Sequence, residues 1–151
     1  FCLFPFFQIP CFTSPEAVGV VGLVYDKEFD FGGLAAQMAS VICSGNTMVV
    51  LMGKASVILA PLAEVFGTSD LPGGVINLLS GKNEELCSHM ASHMEVNSIS
   101  VQSDDRKLWE EIRTAGVDNM KRIVPASKKD LALDNILNFV EYKTVWHPIG
   151  Y

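Results

Sequence analysis

"VGVVGLVYDKEFDFGGLAAQMASVICSGNTMVVLM", residues 18–52, changes its hydrophobic period twice. "VGVVGLV" (18–24) is a continuous apolar run ahead of a charged loop, as in a strand buried on both faces. "FGGLAAQMASVIC" (31–43) then sets Leu34, Met38, Val41 and Ile42 on one face at helical spacing. "NTMVVLM" (46–52) returns to a strand. A strand, a helix and a strand joined this closely make a parallel crossover unit.

Downstream the alternation continues. "SVILAPLAEVF" (56–66) reads as a helix with Ser56 as N-cap and Pro61 as its start or a kink. "DLPGG" (70–74) is a turn and "VINLLS" (75–80) a third strand. "NEELCSHMASH" (83–93) is a helix opened by acidic residues, followed by the strand "SISVQ" (98–102). "DDRKLWEEIRTAG" (104–116) is a solvated helix with i,i+4 charge pairs and Trp109 turned inward, and "MKRIVPAS" (120–127) a fifth strand. The class is therefore α/β, a Rossmann-like doubly wound parallel sheet. Last come one amphipathic helix over 130–143, with Leu131, Leu133, Ile136, Leu137 and Val140 inward, and a short strand "KTVWH" (143–147) stopped by Pro148.

The bulk numbers narrow the function classes. The 151 residues are 49% hydrophobic and 19% charged, a globular composition long enough for one core. A net charge of −6 excludes nucleic acid as the expected partner. Cys2, Cys11, Cys43 and Cys87 form no CxxC pair, so free thiols and a cytoplasmic location are expected. "FCLFPFFQIPCF" (1–12) is too short and too broken by Pro5 and Pro10 to span a membrane, and it lacks signal-peptide features. Its Phe, Cys, Leu and Pro suit pyrimidine-rich codons and Gln8 suits CAG, so residues 1–8 also fit translated intron. His89 and His93 stand four apart but lack a third ligand, so no metal site is expected. "GKNEE" (81–85) has one glycine and is a turn, not a phosphate cradle.

Five blocks in register resemble the aldehyde dehydrogenase superfamily: "AVGVVGLV" (17–24), "SGNTMVV" (44–50), "LPGGVINLLSG" (71–81), "ASHMEVNSISV" (91–101) and "NMKRIV" (119–124). The resemblance covers residues ~15–127 and implies the family's NAD(P)-binding core. Several positions depart from it. Glu28 stands where the family has an asparagine that stabilises the oxyanion, and an ionised carboxylate cannot donate that hydrogen bond. Leu51 replaces a ribose-binding lysine, and Lys54 a glutamate, with Lys54 on the other face of an extended chain. Asp104 and Asp105 occupy the pyrophosphate turn, where they cap a helix and repel phosphate. Ala126 replaces the general-base glutamate, and the domain carrying the nucleophilic cysteine is missing from this order of segments.

"VEYKTVWHPIG" (140–150) resembles the superfamily's last strand, which joins a neighbouring subunit's sheet. The order core-then-strand resembles the degenerate C-terminal module of family 16 aldehyde dehydrogenases. The implied organisation is a segment 1–14 outside the domain, a degenerate cofactor-type domain 15–128, and a helix with an oligomerisation strand 129–151. The expected function is an inactive structural module with no cofactor of its own. It would use Lys143, Val145 and Trp146 to self-associate or to dock on an upstream module. The alternatives are part of an NAD(P)-dependent oxidoreductase acting on aldehydes through another module, and a residual nucleotide binder.

Overall fold

The computed structural model describes residues 11–26, 30–125 and 133–147. Five strands, β2 (Val20–Tyr25), β3 (Thr47–Leu51), β4 (Ile76–Leu79), β5 (Ser98–Gln102) and β6 (Arg122–Pro125), form a parallel sheet in the order β4-β3-β2-β5-β6. The fold is the doubly wound α/β sheet read from the sequence. Helices α1 (Phe31–Cys43) and α2 (Leu59–Gly67) lie on one face, and α3 (Asn83–Ser92) and α4 (Arg106–Gly116) on the other.

The alternation of the strands explains both cores. Val21, Leu23 and Tyr25 of β2 join Met48 and Val50 of β3 under Leu34, Met38 and Val41 of α1. Val24, Leu51, Ile99 and Val101 point the other way, under Cys87, Met90, Leu108 and Ile112. Each such side chain taken fully from water contributes about 1.5–3 kcal/mol. Gly22 lets α3 come close, because a Cβ there would sit 2.3 Å from the Met90 sulfur.

Three readings need correction. The helix expected over 56–66 is a 3-10 turn (Gly53–Ile58) followed by α2, and Ser56 Oγ donates back to the Gly53 carbonyl instead of capping. Pro61 falls in the first turn of α2, where its missing N–H costs nothing. The helix expected over 130–143 ends at Leu137 (α5, Leu133–Leu137 among the described residues), its Leu133 and Leu137 are exposed, and Val140 already belongs to a strand. Trp109 is turned inward as read, half-buried against the core under α3 and α4, where its Nε1 donates to the Ser103 carbonyl at 3.0 Å and the Arg113 guanidinium lies over its ring. Leu131 lies outside the described residues.

The largest difference is a second sheet. β1 (Cys11–Ala17) pairs antiparallel with β7 (Val140–Trp146), from Cys11 opposite Trp146 to Ala17 opposite Val140. The boundary drawn at residue 14 therefore cuts a strand, and the terminal strand has one edge covered by its own chain. The ribbon is rooted at the N-terminal ends of the parallel strands. Arg122 Nη1 donates to the carbonyls of Asn138 and Val140, both at 3.0 Å. Buried Asn46 accepts from Gly19 N–H at 2.7 Å and donates to the Phe139 carbonyl at 2.9 Å. Among the described residues no helix is long and apolar enough to cross a membrane.

Candidate functional site

In an open parallel sheet ligands bind beyond the carboxyl ends of the strands, where the strand order reverses. Here that point lies between β2 and β5, so Tyr25, Asp26, Gln102 and Ser103 meet there. The ribbon sits at the opposite end of the sheet.

Side chains of the protein itself fill this mouth. Asp26 N–H donates to the Gln102 carbonyl at 3.0 Å, closing the ends of the two strands. The Asp26 carboxylate accepts from Asn83 Nδ2 at 3.2 Å and from Ser103 Oγ at 3.0 Å. Ser103 Oγ in turn accepts the Asp105 N–H at 3.0 Å, and the Asp105 carboxylate accepts the Lys107 N–H at 2.8 Å. Asp105 is thus the N-cap of α4, as its type and place suggested. Two N–H groups at this helix start, the kind that hold phosphate, are taken up from within. Tyr25 Oη donates to the Asp30 carbonyl at 3.0 Å and accepts its N–H at 2.7 Å, pinning the far end of the loop. Gly53 closes the bottom, since a Cβ there would lie 2.4 Å from Asn83 Nδ2 and 2.8 Å from the Tyr25 carbonyl.

Among the described residues, the buried side-chain atoms left without a partner at the mouth are acceptors. Asn83 Oδ1 and Gln102 Oε1 are buried and meet no donor among the described residues. The Asp26 and Asp105 carboxylates belong to the same network, and Asp104 precedes Asp105 in sequence. A pyrophosphate needs donors and positive charge. The described residues of the mouth therefore do not fit a dinucleotide.

The individual site residues fare differently. Leu51 is 1% exposed and packs with Val24, Cys87 and Ile99, so it is a core side chain under α3 and α4. Lys54 is exposed, but it sits in the 3-10 turn rather than on extended chain. Asp104 lies at the mouth beside Asp105. Glu28 and Ala126 lie outside the described residues. The network of Asp26, Asn83 and Ser103 was missed. The switch-point rule, applied to the residues just after the first and fourth strands of the parallel sheet, could have found two of the three.

Of the described cysteines, Cys11 and Cys43 are exposed and Cys87 is buried. Burial first, then the nearby carboxylates of Asp26, Glu111 and Glu84, push the Cys87 thiol up to about 12. At neutral pH it is a thiol and no nucleophile. On the ribbon, Lys143 forms an ion pair with Glu16 at 2.6 Å, and that bond and charge hold its ammonium above the usual lysine range. Val145 and Trp146 are exposed, at 44% and 63%. A groove of about 500 Å³ opens elsewhere, between α2 and the edge strand β4, lined by Leu59, Phe66, Leu71 and Ile76 among others.

Parallel strand order and helices on both faces define a Rossmann-like doubly wound domain. The aldehyde dehydrogenase family model matches residues 8–125, and the chain belongs to that family. It is 30% identical over 119 residues to rat retinaldehyde dehydrogenase 3, covering 77% of this chain and 23% of that one. It is 27% identical over 113 residues to omega-crystallin of Nototodarus sloanii, covering 74% and 23%. Among solved structures, aldehyde dehydrogenase from Bartonella henselae shares the fold with a TM-score of 0.69 at 22% identity, over 82% of this chain and 26% of that one. Betaine aldehyde dehydrogenase from Staphylococcus aureus gives 0.73 at 20% identity, over 81% and 25%. The chain thus spans about a quarter of the length of these relatives.

Proposed function

We propose that this chain is a non-catalytic structural and interaction module of a longer aldehyde dehydrogenase family protein, of the kind found as the degenerate second module in family 16. The internal capping of α4 carries this reading. The Staphylococcus aureus relative was solved with NAD+. In this chain, Ser103 Oγ and the Asp105 carboxylate take up helix-start N–H groups, and acceptors surround them. Leu51 offers no ribose contact, and Cys87 offers no thiolate. Loss of a single oxyanion donor costs ~10²–10³ in rate, and loss of the nucleophile removes the covalent route. The purified chain is expected to produce no NADH when aldehyde and NAD are supplied. Steady, aldehyde-dependent NADH production would refute the reading.

The interaction half of the proposal rests on the ribbon. Phe12, Tyr142, Val145 and Trp146 are all exposed on two strands that have no core of their own. A two-stranded ribbon is marginal alone, and a partner that covers it gains that apolar area. Truncation after Tyr142 is expected to leave the five-stranded core folded and to shift sedimentation towards monomer. Identical sedimentation of the two folded species would remove the ribbon as an interface. One observation favours a second reading for the parent: this chain spans only 23% of its relatives, so aldehyde oxidation can belong to another module. Assay of the full-length protein with its upstream cysteines replaced tests that.

A further inference from the structure

β4 ends the parallel sheet, and its outer side pairs with no other strand. The bonds on its inner side fix its phase. Met48 N–H donates to the Val75 carbonyl at 2.8 Å and Met52 N–H to the Leu79 carbonyl at 2.9 Å, with Met48 beside Ile76 and Val50 beside Leu78. Backbone groups alternate sides along a strand, so Ile76 and Leu78 turn their N–H and C=O groups outward. Among the described residues nothing bonds those outward groups. The groove of about 500 Å³ takes in the whole of β4 and, as its apolar wall, Leu59, Ala63 and Phe66 of α2. A Cβ added at Gly73 or Gly74 would meet nothing within 4 Å, so that end of the groove is unobstructed.

Backbone chemistry and charge together select an occupant. An acyl chain would cover the apolar wall but leave the outward groups of Ile76 and Leu78 without partners. An extended peptide bonds them and packs every second side chain on α2. Glu64 lies between the lining residues Ala63 and Phe66, and Asp70 directly precedes the lining Leu71. Both are exposed, neither is in an ion pair among the described residues, and the last turn of α2 holds no basic residue. The carboxyl end of the helix dipole adds to this negative charge. Lys82, just past β4, is already paired with Glu85 at 3.7 Å. We propose that β4 takes up an extended segment of a partner protein as an added strand, apolar at alternate residues and basic where it passes Glu64 and Asp70. The ribbon is a different surface, so this inference stands or falls apart from it.

Fluorescence anisotropy of a labelled, end-capped peptide, Arg-Val-Thr-Val-Thr-Val-Arg, tests this on the intact chain. Saturable binding is expected. The peptide is then N-methylated at alternate residues, in each of the two phases. One phase should abolish binding and the other retain it, because only one row of its N–H groups faces β4. Glu64→Lys combined with Asp70→Lys should weaken binding roughly tenfold, since two attractive rim charges become repulsive. A peptide with glutamate at both ends should prefer that variant, whose fold circular dichroism confirms. Absence of saturable binding overturns the inference. Equal binding of the two N-methylated forms would make the groove a sink for any apolar chain, and strand addition would fail. Release of a dimer of this chain by the peptide would make a second copy the occupant and overturn the assignment to a partner protein.

Discussion

Leu51 is a core side chain whose role only the fold reveals. Its side chain fills the core under α3 and α4, so restoring a lysine there places a charge among Val24, Cys87 and Ile99. Leu51→Lys is expected to cost on the order of 3–5 kcal/mol, the range for a charge left buried without a partner. Chemical denaturation measures it, and a loss below about 1 kcal/mol would show that the side chain escapes to solvent. The substitution should not restore cofactor binding, even combined with Asp104→Ser. Cys87 gives a pH dependence. Its folded-state thiol is raised to about 12 from an ordinary 9, so the folded protein holds a proton that the unfolded chain has lost. Stability should be unaffected by this group below about pH 9 and fall between pH 9 and about 12. Cys87→Ala should flatten that decline, and an unchanged profile would assign it to other groups. The identity of Leu51 was plain in the sequence, but its role was not. Only the alternation of β3 against two cores tells a core leucine from one lining a crevice.

At the scale of elements, Asn46 and Arg122 hold the ribbon to the sheet. Asn46→Ala leaves the Gly19 N–H and the Phe139 carbonyl without their partner. It should cost about 2–6 kcal/mol, since each of the two unpaired groups costs about 1–3. Hydrogen exchange should show the ribbon opening first, and uniform loss of protection would count against that anchoring role. The parallel strands were legible because each is an apolar run followed by turn chemistry. The terminal elements were not. Residues 130–143 carry a helical apolar pattern, yet from Val140 the chain finds a pairing partner more than a hundred residues away. That partner, "CFTSPEA" (11–17), contains a proline and shows no apolar alternation, so nothing local marks it as a strand. Long-range pairing overrode the local period.

For the whole molecule, the sheet order places two surfaces at opposite ends: an acceptor-lined mouth at the carboxyl ends of β2 and β5, and the ribbon at the amino ends. Fold class and family could be read from five short blocks, because buried strands and turns constrain residue type strongly. The state of the mouth could be read only in part. Asp104 and Asp105 signalled repulsion, but the closure by Asp26, Asn83 and Ser103 joins residues up to 77 apart and needs the fold to be seen. This closure is the centre of the account, and isothermal titration of NAD into the purified chain tests it most directly. We expect no saturable binding below roughly millimolar NAD, the regime of a site that supplies acceptors to an anion. A dissociation constant below about 1 μM would mean that the mouth opens to donate, and it would contradict the account.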